Sequence, residues 1–293
     1  MEGETPYVEA EGRRWEYRPA PSEPAVPCPP EVAGKPLRET TPEGACIAVL
    51  ELEGVHGSWV KASVSDWKDA LNASPLVTRH GLKVVSLSSA EELRAALVAG
   101  RTAYFAIVNP YGEVFPVEGQ GRWTEMIDAI RGYVAHGGIW VETGSASFYS
   151  AAWNDGGKWR REVIGLKGLG RLRSANAMAD IDEPPVGLRA CAAAAAWFPP
   201  QVLKQIAATK SQVNRAPCDG MGETVFPLVE DGEGRAWFGC HRLGGWGTLW
   251  RLGGSNPDRE LALAVVSAAL LHQFENVPVP LSPAPYRKVT AVK

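Results

Sequence analysis

The sequence predicts an α/β protein: a three-layer sandwich around a mainly parallel sheet, with a proline-rich N-terminal extension and a late β-hairpin. Three observations carry this. Short, continuous apolar runs recur, in CIAVLEL from Cys46, KVVSLS from Lys83, TAYFAIVNP from Thr102 and IWVET from Ile139, as expected of strands buried on both faces. Stretches with helical spacing separate them, and such alternation over about 100 residues indicates βαβ units. Further on, two apolar runs near 235–242 and 247–252 flank Gly244-Gly245-Trp246-Gly247 and read as a hairpin.

In chain order, residues 1–43 read as an N-terminal arm. YVEAEGRRWEYR suits a strand or short hairpin, and PAPSEPAVPCPPEVAGKP reads as an extended linker. The α/β domain is expected over 44–276, with 277–293 as a tail. After the first strand, the second half of VHGSWVKASVSDWKDALNAS has helical spacing. Ser88-Ser89 precede AEELRAALVAG and mark a helix start, with Glu91 and Glu92 in its first turn. In RWTEMIDAIRGYVAHGG, Trp123, Met126, Ile127, Ile130, Tyr133 and Val134 share a helical face, and Gly137 supplies the stop. LRACAAAAAWFPPQVLKQIAATKS reads as helix broken at Pro199 and Pro200. In NPDRELALAVVSAALLHQF, Asn256 suits the cap and Pro257 the first helical position; Asp258 and Glu260 favour the N-terminal dipole.

The formal net charge of -3 argues against a protein that wraps nucleic acid. KWRREVIGLKGLGRLR (158–173) carries six basic residues against one acid and reads as a solvated or subunit-facing surface. No apolar run reaches the roughly 18 residues that a membrane span needs. The acidic N-terminus shows no signal peptide, so a cytoplasmic location is expected. The five cysteines, 28, 46, 191, 218 and 240, are widely spaced and read as free thiols, without metal-site spacing. No cofactor is expected, because GLKGLG and RLGGWG lack the strand-loop-helix setting of phosphate loops.

The chemistry-bearing stretch is GGIWVETGSASFYSA, Gly137–Ala151: an apolar strand ending in a turn of small residues. Ligands of a parallel sheet bind at the carboxyl ends of its strands. That edge collects His56 and Trp59 after the first strand, and Asn109, Tyr111 and Glu113 after the third. After the fourth come Glu142, Thr143, Ser145 and Tyr149. Trp59, Asn109, Tyr111, Glu113, Thr143 and Tyr149 suit a polar ligand such as a carbohydrate. The same residues also serve simpler ends: Asn109-Pro110 and Tyr111-Gly112 are turn formers, and Glu142 can satisfy backbone N–H groups at the turn.

Three segments, YFAIVNPYGEVFP (104–116), IDAIRGYVAHGGIWVETGSASFY (127–149) and HRLGGWGTLWRLGG (241–254), resemble the class I glutamine amidotransferase-like superfamily across about residues 44–276. The resemblance implies a flavodoxin-like α/β fold with a nucleophile elbow at 144–146. Active amidotransferases of this kind place a cysteine at the elbow and a His-x-Glu pair after the late strand. Here the elbow reads Gly144-Ser145-Ala146, and the segment after Trp250 reads RLGGSNPDRE. A thiolate needs a nearby base; both partners are missing, so glutamine hydrolysis by that dyad is not expected.

The expectation is therefore a non-catalytic ligand-binding or assembly module, with such domains also occurring alongside carbohydrate-active proteins. Its partners would be a polar small molecule, or further copies or a larger assembly engaged through the N-terminal arm. The alternative is a serine hydrolase, as in serine-peptidase relatives with Ser-Ala-Gly at the elbow. It would use Ser145 as nucleophile, His56 as base and Glu142 in support. His136, expected on the opposite edge, and His241, inside the hairpin, are the other histidines considered. A second alternative is a structural subunit held by the arm and by tryptophan contacts.

Overall fold

The computed structural model describes residues 7–10, 13–16, 26–56, 61–144, 148–165, 184–213, 225–232, 234, 236–241, 245–252 and 258–277. Strands β1 (Tyr7–Ala10) and β2 (Arg13–Glu16) pair antiparallel as a two-stranded sheet of their own, the second of the two forms, strand or short hairpin, open to this stretch. The described part of the proline-rich stretch does not run extended. Val32 and Ala33 both donate to the Pro29 carbonyl at 2.9 Å, and a 3-10 turn follows at Leu37–Glu39. Val32 and Leu37 are buried in the apolar core, so this segment gains from packing what an exposed linker lacks.

A nine-stranded sheet organises the rest. Five strands form its parallel half: β3 (Cys46–Leu50), β4 (Lys83–Leu87), β5 (Tyr104–Asn109), β7 (Ile139–Thr143) and β14 (Thr248–Leu252). They lie side by side as β14-β7-β5-β3-β4. Counted from β3 this is 2-1-3-4-5, a doubly wound order whose switch point falls between β3 and β5. The expected sheet was mainly parallel; the observed one is mixed. Strands β10 (Val186–Ala190), β11 (Lys210–Ser211), β12 (Val225–Asp231) and β13 (Ala236–His241) extend it antiparallel. The β13–β14 pair is the hairpin read from the sequence.

Alternation along the strands separates two apolar clusters. Ile47 and Val49 of β3 join Trp67 of α1 (Val64–Ala73), Leu76 of α2 (Pro75–Thr78) and Phe274 of the last helix. Ala48 and Leu50 join Leu93 of α3 (Ala90–Ala99) and Ile130 of α4 (Trp123–Ala135). Helix starts follow local chemistry. Ser63 and Asp66 form a reciprocal capping box on α1, and Ser89 accepts the Glu92 N–H at 3.1 Å on α3. Pro199 and Pro200 do not break a helix: a 3-10 stretch ends at Trp197, and Pro200 opens α5 (Pro200–Ala208), where its missing N–H costs nothing. Helix α6 (Arg259–Glu275) starts later than expected, with Asp258 as its cap accepting the Leu261 N–H at 2.7 Å; Asn256 and Pro257 lie outside the described residues.

The largest departure follows β7. An elbow of the expected kind would lead into a helix. Here β7 leads through Phe148 into β8 (Ser150–Asp155), which turns back as β9 (Lys158–Val163). With β6 (Val114–Pro116), these form a separate three-stranded sheet over the carboxyl edge of the parallel strands.

Candidate functional site

Strand register builds a polar row at the carboxyl end of β5, β7 and β14. Asn109 lies opposite Glu142, and Glu142 opposite Arg251, so the three side chains project on one face. The Glu142 side chain has no exposed surface. Its Oε2 accepts the Trp140 indole N–H at 2.6 Å, and its Oε1 accepts the Asn109 Nδ2–H at 3.2 Å. The Phe148 backbone adds a hydrogen bond, and Phe148 itself stands in the left-handed region at φ 58°. Burial pushes the Glu142 carboxyl up to about 8, against the pull of Trp140, Asn109, the Phe148 backbone and Arg251. Burial also lowers Arg251, to about 9, with Glu142 opposing.

A carboxyl raised this far has the acidity of a general acid. It is nevertheless sealed, because every polar contact just named comes from the fold itself. Asn109 is equally committed: Nδ2 also reaches the Val114 carbonyl at 3.0 Å, and Oδ1 accepts the Tyr111 N–H at 3.0 Å. Thr143 Oγ1 donates to the Asn109 carbonyl at 2.9 Å, tying the end of β7 to the end of β5.

The switch point is filled. Tyr111 is only 7% exposed, and its hydroxyl bonds both ways to one residue of the loop after β3. It accepts the Leu52 N–H at 2.5 Å and donates to the Leu52 carbonyl at 3.2 Å. The turn carrying Tyr111 closes on β7 through Gly112, at φ +63°, where a Cβ would stand 2.4 Å from the Thr143 carbonyl oxygen.

The residues read from the sequence thus divide. Asn109, Tyr111, Glu142 and Thr143 come together, as an interior network rather than an open surface. Glu113 turns to β9, where Arg161 pairs with it and also donates to Ser150 Oγ at 2.9 Å. Tyr149 is half-buried, and its carbonyl accepts the Ile164 and Gly165 N–H groups at 2.9 and 3.0 Å. His56 is exposed. His136 caps α4 with Nδ1 2.7 Å from the Gly132 carbonyl, on the edge away from this row. Ser145, Trp59 and the His241 side chain lie outside the described residues. Trp140, Arg251 and Arg161 were missed. Trp140 could have been found, since residues two apart on a strand share a face; Arg251 required the β7–β14 register. Among the described residues no cluster of His, Cys, Asp and Glu could hold a metal, and no helix is long and apolar enough to cross a membrane.

No family model matches the chain, and no curated protein matches it. Among solved structures, it is similar to a beta-galactosidase from Bacillus circulans sp. alkalophilus, at a TM-score of 0.43 and 14% identity, over 80% of this chain and 32% of that one. It is also similar to the exo-beta-1,4-mannosidase Op5Man5 from Opitutaceae bacterium strain TAV5, at a TM-score of 0.32 and 14% identity, over 78% and 33%. The chain spans about a third of the length of each.

Proposed function

We propose that this chain is a non-catalytic glutamine amidotransferase-like module, a three-layer sandwich that serves assembly rather than turnover. The observation that carries the reading is Tyr111, which occupies the crevice between the loops after β3 and β5 and spends its hydroxyl on Leu52. A doubly wound sheet binds substrate at that crevice. The sealed Glu142 supports the same reading, since an acid with no exposed surface cannot exchange protons with a substrate. So does β8, which follows from Ser150: among the described residues no helix starts between β7 and β8 to stabilise an anion. Assembly through the arm is favoured by β1 and β2. Among the described residues they pair only with each other, and an isolated two-stranded hairpin is marginal in water unless it packs on another surface.

The test treats the full chain and its Ser145→Ala variant with a fluorophosphonate probe, and measures the mass of both in solution. The expected result is no Ser145-dependent labelling, with a species heavier than one 31.5 kDa chain that deletion of residues 1–25 reduces. Labelling lost in Ser145→Ala would establish the hydrolase instead. A monomer unaffected by the deletion would remove the assembly role.

A further inference from the structure

The two larger sheets end in four edge strands, β11 and β4 in one, β6 and β9 in the other. An edge strand presents unpaired backbone groups, which folds guard by brevity, proline or charge. Three of these edges carry such a guard. Strand β11 is two residues long, β6 is three residues long and ends in Pro116, and β9 carries Lys158, Arg160, Arg161 and Glu162. Strand β4 differs. It runs for five residues, Lys-Val-Val-Ser-Leu, with its one charge at the first position and no register shift against β3. Val84 and Val85 are half-buried, and among the described residues β3 is the only strand paired with β4.

The free side of β4 specifies its own register. The Lys83 N–H donates to the Ala45 carbonyl at 3.1 Å, and the Leu87 carbonyl accepts the Glu51 N–H at 2.9 Å. Residues 83, 85 and 87 thus turn their backbone groups to β3, and those of Val84 and Ser86 point outward. A second β4, laid antiparallel across a two-fold axis at Val85, satisfies all of them. Val84 of each copy then lies opposite Ser86 of the other, and each such pair exchanges two hydrogen bonds. A slip of two residues sets Val84 or Ser86 against its own counterpart. It leaves the remaining one facing Leu82 or Ser88, whose N–H groups are already donated to the Leu76 carbonyl and the Glu92 carboxylate. The side chains agree with the two-fold register. It sets Val85 against Val85, an apolar pair on the axis. It also sets Lys83 against Leu87 of the other copy, just before α3 begins at Ala90 with Glu91 and Glu92 in its first turn. The one charge on this edge therefore meets carboxylates in a second copy of the same chain.

We propose that β4 is a self-association edge, at which two copies of this chain join their nine-stranded sheets antiparallel about Val85. This edge is separate from the N-terminal arm, and either contact can fail alone. The test is a disulfide at the axis. The full chain carrying Val85→Cys is oxidised with diamide, and the linked residues are located by peptide mapping. A non-hydrogen-bonded antiparallel pair holds its Cα atoms about 4.5 Å apart, within the disulfide range of roughly 4.4–6.8 Å. Val84→Cys is the control, since the two copies of residue 84 are diagonal neighbours roughly 7–8 Å apart, too far to bridge. Val85→Cys is expected to give a covalent dimer of the 31.5 kDa chain, linked at residue 85. Val84→Cys and the wild type are expected to show only the background of the five native cysteines. Adding Lys83→Glu to Val85→Cys sets carboxylates against carboxylates and is expected to slow the linkage by about threefold or more. Linkage of Val85→Cys at background level, equal linkage of Val84→Cys, or a rate indifferent to Lys83→Glu would each overturn the assignment.

Discussion

Asn109 and Glu142 meet across β5 and β7 at 3.2 Å, and this bond helps orient a carboxyl group that has no contact with solvent. The same carboxyl faces Arg251 on the other neighbouring strand, so Glu142 is the shared partner of an amide, an indole and a guanidinium. Removing that carboxyl leaves two buried donors, the Trp140 indole N–H and the Asn109 amide, short of an acceptor whatever its protonation state. Glu142→Ala is therefore expected to cost about 2–5 kcal/mol in urea unfolding at neutral pH. Above pH 8, where the carboxyl gives up its proton, Arg251→Met, which fills similar volume without charge, should cost more in the wild-type background than in Glu142→Gln. Strict additivity of the two changes would remove the pairing.

The raised Glu142 carboxyl makes stability depend on pH. The folded state holds this proton up to about 8, whereas the ordinary value is 4.5. Between those values the folded chain binds more protons than the unfolded one, so this group's contribution falls as pH rises and levels off above about 8. His272 works in the opposite direction: burial lowers it, so it costs stability as pH falls through its ordinary value of 6.5. Glu51, Asp66 and Glu118 are lowered by their hydrogen bonds and act at more acid pH. Glu142→Gln isolates the effect. The wild type minus variant difference in unfolding free energy should decline from pH 5 to pH 8; a flat difference would mean that Glu142 is ionised throughout.

Gly112 tests the closure of the switch point. Two penalties coincide there: φ of +63° and a Cβ position 2.4 Å from the Thr143 carbonyl oxygen, which is backbone and cannot swing aside. Gly156, at φ +58°, has nothing within 4 Å of its added Cβ. Gly156→Ala should cost about 1 kcal/mol, the strain of the left-handed region alone. Gly112→Ala should cost about 2 kcal/mol more than that, from displacement of the Tyr111 turn. Equal losses would show that the turn yields without disturbing β7.

Much of this architecture was legible in the sequence because its signals are local. Continuous apolar runs gave β3, β4, β5 and β7; Ser89 and Gly137 marked a helix start and a helix stop. Asn109, Tyr111, Glu142 and Thr143 were placed at the carboxyl edge by counting from strand ends. Their burial could not be read, because it depends on β8 and β9 folding over that edge. Neither strand carries a clear alternation: β9 reads Lys-Trp-Arg-Arg-Glu-Val, which composition marks as solvated surface. Arg251 was beyond reach for a related reason, since its pairing with Glu142 is set by the parallel register of strands more than a hundred residues apart.

Arg101 supplies the last prediction. It is a buried cation whose donors reach Thr40 and Thr41, and its guanidinium carbon lies 5.1 Å from the centre of the Trp246 ring. It therefore joins the N-terminal segment to the turn between β13 and β14, and burial makes its guanidinium more acidic than an ordinary arginine. Arg101→Met keeps much of the packing volume and removes both hydrogen bonds, so the loss should be about 1–3 kcal/mol. The loss should be local. Leu37 is held by the core, but the Thr40 and Thr41 end of the segment depends on Arg101. Hydrogen exchange should accelerate at the amides of 39–45 in the variant while α4 and β7 keep their protection. Uniform acceleration across the domain would instead make Arg101 an ordinary core contributor, with no particular hold on the N-terminal segment.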